Sequence, residues 1–265
     1  MPDTSLAPHD IESLERATLD AVCPAAQSEL PGWLLPFDAA DIGRARSAIP
    51  LRHQDLDIAA LPAIEQQYRD HRLPPCFRIA DTQGLRHWQD RLQALGYRQT
   101  APVHVQISSV ADMQAAADLS NSARGSHNAS QPANVVLLDA PGDAWASVYT
   151  APGFDAEDGA LRVQLLSRSR FARYAYVQKA GVSLAAGTAC ISRDWLSVHG
   201  MRTLPHAQSQ GLGASMLAAF VGLARQRGIA RAFLQVEADN APALTLYRRF
   251  GFATAWTYHY WKAPV

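Results

Sequence analysis

Two glycines set two residues apart at the entry to a helix, Gly211 and Gly213, constrain this chain more than any other feature. They close the run Val198-His-Gly-Met-Arg-Thr-Leu-Pro-His-Ala-Gln-Ser-Gln-Gly-Leu-Gly213, in which a strand is predicted to end near Thr203 and a helix to continue to Arg227. Leu212, Met216, Ala219, Phe220 and Leu223 give that helix an apolar face. Arg225 and Arg227 suit the negative end of its dipole, and Gly228 supplies a left-handed residue to stop it. The start of a helix exposes N–H groups that have no partner inside it, and glycine lets a phosphate come close to them. This is not the dinucleotide fingerprint G-x-G-x-x-G, because Met216 stands where the third glycine would be. Close packing of a helix on its neighbours also calls for glycine, so the pair alone leaves both readings open.

The next segment narrows the choice. Ala232-Phe-Leu-Gln-Val236 reads as a buried strand. Asn240 is a predicted N-cap, and Pro242 falls in the first turn, where its missing N–H costs nothing. Ala243, Leu246, Tyr247 and Phe250 share a helical face, Gly251 ends the helix and Phe252 starts a strand. Order and spacing together resemble the GNAT superfamily of N-acetyltransferases. Its signature Q/R-x-x-G-x-G/A is matched by Gln208, Gly211 and Gly213. Its later signature N-x-x-A-x-x-L-Y-x-x-x-G-F is matched by Asn240, Ala243, Leu246, Tyr247, Gly251 and Phe252. The match is specific from Trp195 to Trp261 and weaker back to Val135.

The resemblance implies acetyl-CoA as co-substrate and no metal. It implies that N–H groups from Gln208, Ser209, Gln210, Gly211, Leu212 and Gly213 hold the pyrophosphate. Met201 and Thr203, on a strand that splays from its neighbour, would pair with the pantetheine arm through their backbone. Asn240 would lie near the pantetheine or the splayed strands, or would serve only as an N-cap. Tyr247 would face the sulfur of CoA and protonate the departing thiolate; by pattern alone it is a core tyrosine. Where the family often carries a glutamate, this chain has Ser197, which is no strong base. His199 shares its strand parity and is the candidate general base, against a reading as a half-buried structural histidine. Asp194 is nearby but at the strand's start.

The first half echoes the second. Phe77-Arg-Ile79, a helix bearing Leu85, Trp88, Leu92 and Leu95, then Gly96-Tyr97 follow the order of Leu234-Gln-Val236, a helix, then Gly251-Phe252. Ile79 and Gly96 are 17 residues apart, Val236 and Gly251 15, and no Q-x-x-G-x-G occurs in the first half. It resembles a degenerate GNAT-like domain, as in tandem proteins, that walls the acceptor pocket or pairs with the catalytic domain. The alternative is chance, since strand-helix-Gly-aromatic is a common pattern. The stretch Asn121 to Ala133, NSARGSHNASQPA, reads as a linker. The expected organisation is therefore a degenerate domain over 1–120, a linker over 121–133 and a catalytic domain over 134–265. Strand-rich segments followed by β-α-β-α-β place the fold in the α/β class with a mixed sheet, of GNAT type in the second half.

At 48% hydrophobic and 18% charged, the 265 residues support a buried core. A formal net charge of zero gives no sign of a nucleic-acid or membrane partner, and no apolar run reaches the ~20 residues that span a bilayer. From Trp195 onward seven Arg or Lys face two acids, which fits either a solvated surface or a phosphate-bearing ligand. Cys23, Cys76 and Cys190 form no CxxC pair and read as reduced thiols of a cytoplasmic protein. Met1 to Asp10 has neither the basic nor the apolar region of a signal peptide. The expected function is transfer of an acetyl group from acetyl-CoA to a small-molecule or peptide amine in a ternary complex; a homodimer is compatible with it. A non-catalytic CoA-binding or regulatory module is the alternative, and a nucleotide-binding domain is disfavoured by the absent third glycine.

Overall fold

The computed structural model describes residues 6–125 and 134–264. Helix α1 (Pro8–Val22) starts on a proline in its first turn and buries Leu14, Ala17, Ala21 and Val22. Strands β1 (Ala26–Leu30), β2 (Trp33–Phe37) and β3 (Ile49–Pro50) form a small antiparallel sheet. After it come α2 (Leu61–Asp70), β4 (Cys76–Ala80), α3 (Arg86–Ala94), β5 (Arg98–Gln99), β6 (Val103–Ser109) and α4 (Val110–Gly125). The second half contains β7 (Asn134–Leu138), α5 (Asp143–Ala146), α6 (Ala156–Leu166), β8 (Ala172–Lys179), β9 (Val182–Ser192) and β10 (Trp195–Thr203). It ends with α7 (Leu212–Gln226), β11 (Arg231–Glu237), α8 (Ala241–Arg249) and β12 (Ala253–Lys262).

A second, nine-stranded sheet has the order β4-β12-β6-β11-β10-β9-β8-β7, with β5 added beside β12. Its strands are antiparallel except β10 and β11, which run parallel, so the sheet is mixed as expected for the α/β class. One face is covered by α4 and α7, which pack Met113, Met216 and Phe220 onto Leu196, Val198 and Leu234. The other face is covered by the first half, whose Leu14, Trp33 and Trp88 join Trp195, Phe233 and Tyr258 in one core. Each such buried aromatic or aliphatic side chain contributes about 1.5–3 kcal/mol.

The echo between the halves is visible. The order β4, α3, β5 repeats β11, α8, β12, and the two helices end on left-handed glycines, Gly96 (φ +80°) and Gly251 (φ +76°). The halves also interlock. Strand β6 lies between β11 and β12, in register from Arg231↔Ser109 to Glu237↔Val103. Strand β12 reaches across to β4 from Tyr258↔Ala80 to Lys262↔Cys76. Helix α4 runs through Gly125, so the first five residues of the expected 121–133 linker are helical; residues 126–133 lie outside the described residues. Among the described residues no helix is long and apolar enough to cross a membrane.

Candidate active site

Strands β10 and β11 pair from Trp195↔Arg231 to Val198↔Leu234 and then part. Beyond that point β11 continues beside β6, and β10 continues beside β9 through Arg202↔Ala186 and Thr203↔Ala185. A bulge between His199 and Arg202 accompanies the parting. It is built on Gly200, whose φ of +60° is left-handed and whose absent Cβ would stand 2.8 Å from the Tyr149 hydroxyl. That hydroxyl donates a 2.6 Å hydrogen bond to the Gly200 carbonyl. The bulge resets the alternation of side chains. His199 stays on the face of the first half, edge-on to Phe233 with ring centroids 6.3 Å apart. Met201, which strict alternation would set beside His199, instead packs with the α4–α7 core, and a Cβ on Gly213 would lie 3.9 Å from its Cε.

The parted strands open a cavity of about 590 Å³ that carries His199, Met201, Thr203, Gln208, Asn240 and Tyr247 in its wall. Of the residues expected in the site, these six are brought together. Ser209 (φ +61°) and Gly211 (φ +76°) take left-handed conformations in the loop that enters α7, and Gly211 is the N-cap. The first helical hydrogen bond runs from Ser215 N to Gly211 O at 3.1 Å, so the N–H groups of Leu212, Gly213 and Ala214 have no acceptor within the helix. Gln210 is exposed and turns its amide to the His206 carbonyl at 3.3 Å. The two glycines have different causes. Gly211 is required by its backbone conformation, whereas a Cβ on Gly213 would stand 2.9 Å from Leu246 Cδ2, where α7 crosses α8.

Tyr247 is buried on α8 with its ring against Phe252, centroids 5.9 Å apart, and burial pushes its hydroxyl up to about 12. The hydroxyl makes no hydrogen bond among the described residues. Asn240 caps α8, its Oδ1 accepting from Ala243 N at 3.2 Å, and also faces the cavity, so the two readings of this residue coexist. His199 is 2% exposed, and neither ring nitrogen has a partner. Burial, reinforced by the charge of Arg44, lowers its pKa to about 3. A neutral imidazole of this kind accepts a hydrogen bond but holds a proton weakly. Ser197 is buried and donates to the Cys190 carbonyl at 3.3 Å.

Several residues of the cavity carried no local sequence signal. The loop around Gly43–Ala45 reaches the site from the first half, and Gly43 lies so close to Tyr260 that a Cβ would overlap its ring. Tyr258 and Gln235 also line the cavity, and Tyr258 donates to Gln235 Oε1 at 2.9 Å. The same oxygen accepts from Arg78 at 3.0 Å, while the Gln235 amide donates to Thr18 at 3.1 Å. Arg78 is itself paired with Glu15, and both are buried. This polar network ties the cavity wall to α1 and β4. Among the described residues no group of three or more His, Cys, Asp or Glu is placed to hold a metal ion.

A family model described as "Probable histone acetyltransferase Rv0428c C-terminal" matches residues 8–261. The chain is similar to mycothiol acetyltransferase of Pseudarthrobacter chlorophenolicus, 31% identical over 140 residues, 46% of this chain and 42% of that protein. It spans less than half the length of the mycothiol acetyltransferases it matches. Its fold is that of a GCN5-related N-acetyltransferase from Kribbella flavida, with a TM-score of 0.66 at 18% identity over 98% of this chain and 97% of that one. It is also that of a tandem GNAT protein from the clavulanic acid biosynthesis pathway, with a TM-score of 0.60 at 13% identity over 98% of both chains. The GNAT fold expected from the sequence is seen.

Proposed function

The chain belongs to the family of the probable histone acetyltransferase Rv0428c C-terminal region, and from that premise we propose that it transfers the acetyl group of acetyl-CoA to an amine by direct attack in a ternary complex. The observation that carries this reading is the parting of β10 from β11 over the unpaired hydroxyl of Tyr247. The residues present fit the donor. An extended pantetheine amide chain needs backbone partners, and β10 beyond Val198 is unpaired on the side that faces β11. A pyrophosphate needs N–H donors, and Leu212, Gly213 and Ala214 offer them at a positive helix end. Bound there, acetyl-CoA supplies an activated acyl carbon.

In the reaction the amine nitrogen attacks the thioester carbonyl carbon. A C–N bond forms, the C–S bond breaks, the sulfur leaves with the bonding pair and takes a proton, and the nitrogen gives one up. Tyr247 keeps its proton at neutral pH, so its hydroxyl donates to the sulfur as negative charge develops there. Full transfer to a thiolate near 8.5 is uphill from a group near 12, and the proton the sulfur takes is balanced by the one lost from the nitrogen, which is cationic after attack and neutral in the amide product. His199, kept neutral by burial, accepts a hydrogen bond from the amine or from a water beside it and so orients the nucleophile, while water carries the proton away. The acceptor is a small-molecule or peptide amine and enters on the face of the first half. The three free cysteines accord with a cytoplasmic protein.

Release of free CoA with a panel of amines, together with calorimetric titration of acetyl-CoA, tests this reading. Binding with turnover supports it. Binding with no turnover would leave the non-catalytic CoA-binding module, a reading favoured by Ser197 in place of a carboxylate. Absence of binding would end both.

A further inference from the structure

Three arginines face the cavity, Arg44, Arg162 and Arg202. Two are committed to structure. Arg162 bonds Asp158 at 2.7 Å, and Arg202 bonds Asp158 at 3.1 Å and the Tyr149 carbonyl at 2.8 Å. Arg44 is half-buried and makes no ion pair or hydrogen bond among the described residues. Its neighbour Asp41 is already paired with Arg46 at 3.2 Å. Arg44 lines the same cavity as His199, Tyr247 and Tyr260, and its charge acts on all three. The loop that carries it is fixed on both sides, by Gly43 against the Tyr260 ring and by the Ser47 hydroxyl on the Gly43 carbonyl at 2.6 Å. A half-buried guanidinium with unused donors is an anion site, and its planar fork matches a carboxylate.

Resting on the acetyl-transfer reading, we infer that the acceptor is an amine that carries a carboxylate on the same molecule, and that Arg44 binds this carboxylate and thereby positions the nitrogen for attack. Free amino acids and the C-terminal ends of short peptides share this chemistry. The same positive charge disfavours a protonated amine beside it, as it does a protonated His199, and so favours the nucleophilic form.

The test compares matched acceptors. α-Amino acids and dipeptides are assayed for CoA release against their C-terminal amides, with simple polyamines as acceptors lacking a carboxylate. The wild-type protein should prefer acids over amides by about 10- to 100-fold in kcat/KM. Arg44→Gln should erase that preference, raise KM for the acid more than it lowers kcat, and leave KM for acetyl-CoA within about twofold. Free amino acids as best acceptors point to a metabolite, dipeptides to a peptide end. Equal use of acid and amide, or equal loss on both in Arg44→Gln, would overturn the inference. A raised KM for acetyl-CoA alone would overturn it as well, by assigning Arg44 to the phosphates of CoA. Turnover of polyamines only would refute the carboxylate and spare the acetyl transfer. No turnover with any acceptor would refute both, and calorimetry with acetyl-CoA then shows whether donor binding survives.

Discussion

The Tyr149 hydroxyl donates a 2.6 Å hydrogen bond to the carbonyl of Gly200, the residue at which β10 bulges away from β11. Tyr149 follows α5 and belongs to none of the strands it acts on, yet it fixes the backbone that sets His199 and Met201 on opposite faces. Tyr149→Phe keeps the ring packing with Trp145 and removes only the donor. Stability should fall by about 1 kcal/mol, which is a few degrees in Tm for a chain of this size. KM for acetyl-CoA should rise about 10-fold because the pantetheine edge loses its setting. Thermal melts and steady-state kinetics check the two effects separately; an unchanged KM would remove Tyr149 from the site.

Tyr247→Phe should fold normally and bind acetyl-CoA nearly as before. Its turnover should drop about 10²-fold, the scale of one general-acid contact. Because burial raises the wild-type hydroxyl to about 12, the donor form persists throughout the accessible alkaline range. Any loss of kcat between pH 8 and 10 must then come from another group, and its midpoint should be the same in wild type and variant. Near-normal kcat in the variant would return Tyr247 to the role of a core residue.

The two glycines should respond differently. Gly211→Ala places a side chain at φ +76° and strains the loop itself. Gly213→Ala meets Leu246 at 2.9 Å and should disturb the crossing of α7 and α8. Leu246→Ala should therefore recover most of the acetyl-CoA affinity lost in Gly213→Ala, and none of that lost in Gly211→Ala. A double-mutant cycle by calorimetry measures this coupling.

His199 carries a pH signature. Its pKa is about 3 when folded, below the ordinary 6.5 of the unfolded chain. The unfolded state therefore binds the extra proton between these values, and stability falls as pH drops from about 6.5 toward 3. At pH 5 the loss from this residue is on the order of 2 kcal/mol. His199→Leu should flatten the acid side of a Tm-against-pH curve; an equally steep fall in the variant would show that other groups dominate it.

Much of the donor side was legible because it is local. A left-handed glycine at a helix entry, an N-cap at Asn240 and a tyrosine on the same helix leave their marks within a few residues of one another. The acceptor side was not. Gly200 looks like any glycine in a strand until the register of β9 against β10 is known. Arg44, Tyr258 and Tyr260 meet His199 only through tertiary contacts, and no period in the sequence reports them. Nothing in the residues of β6 names its neighbours, since pairing partners are chosen by the whole core.

The placement of β6 has a consequence for how the molecule comes apart. Unfolding the first half alone would strip β11 and β12 of the strand between them and leave two bare edges inside a hydrophobic sheet. Unfolding the second half alone would take β12 from β4 and open the core around Trp33 and Trp88. Neither intermediate is sheltered, so melting should be a single event, with coincident transitions by far-ultraviolet circular dichroism and tryptophan fluorescence, and two separate transitions would refute the coupling. A substitution as remote from the cleft as the Glu15–Arg78 pair thereby acts on the same equilibrium as one beside Tyr247.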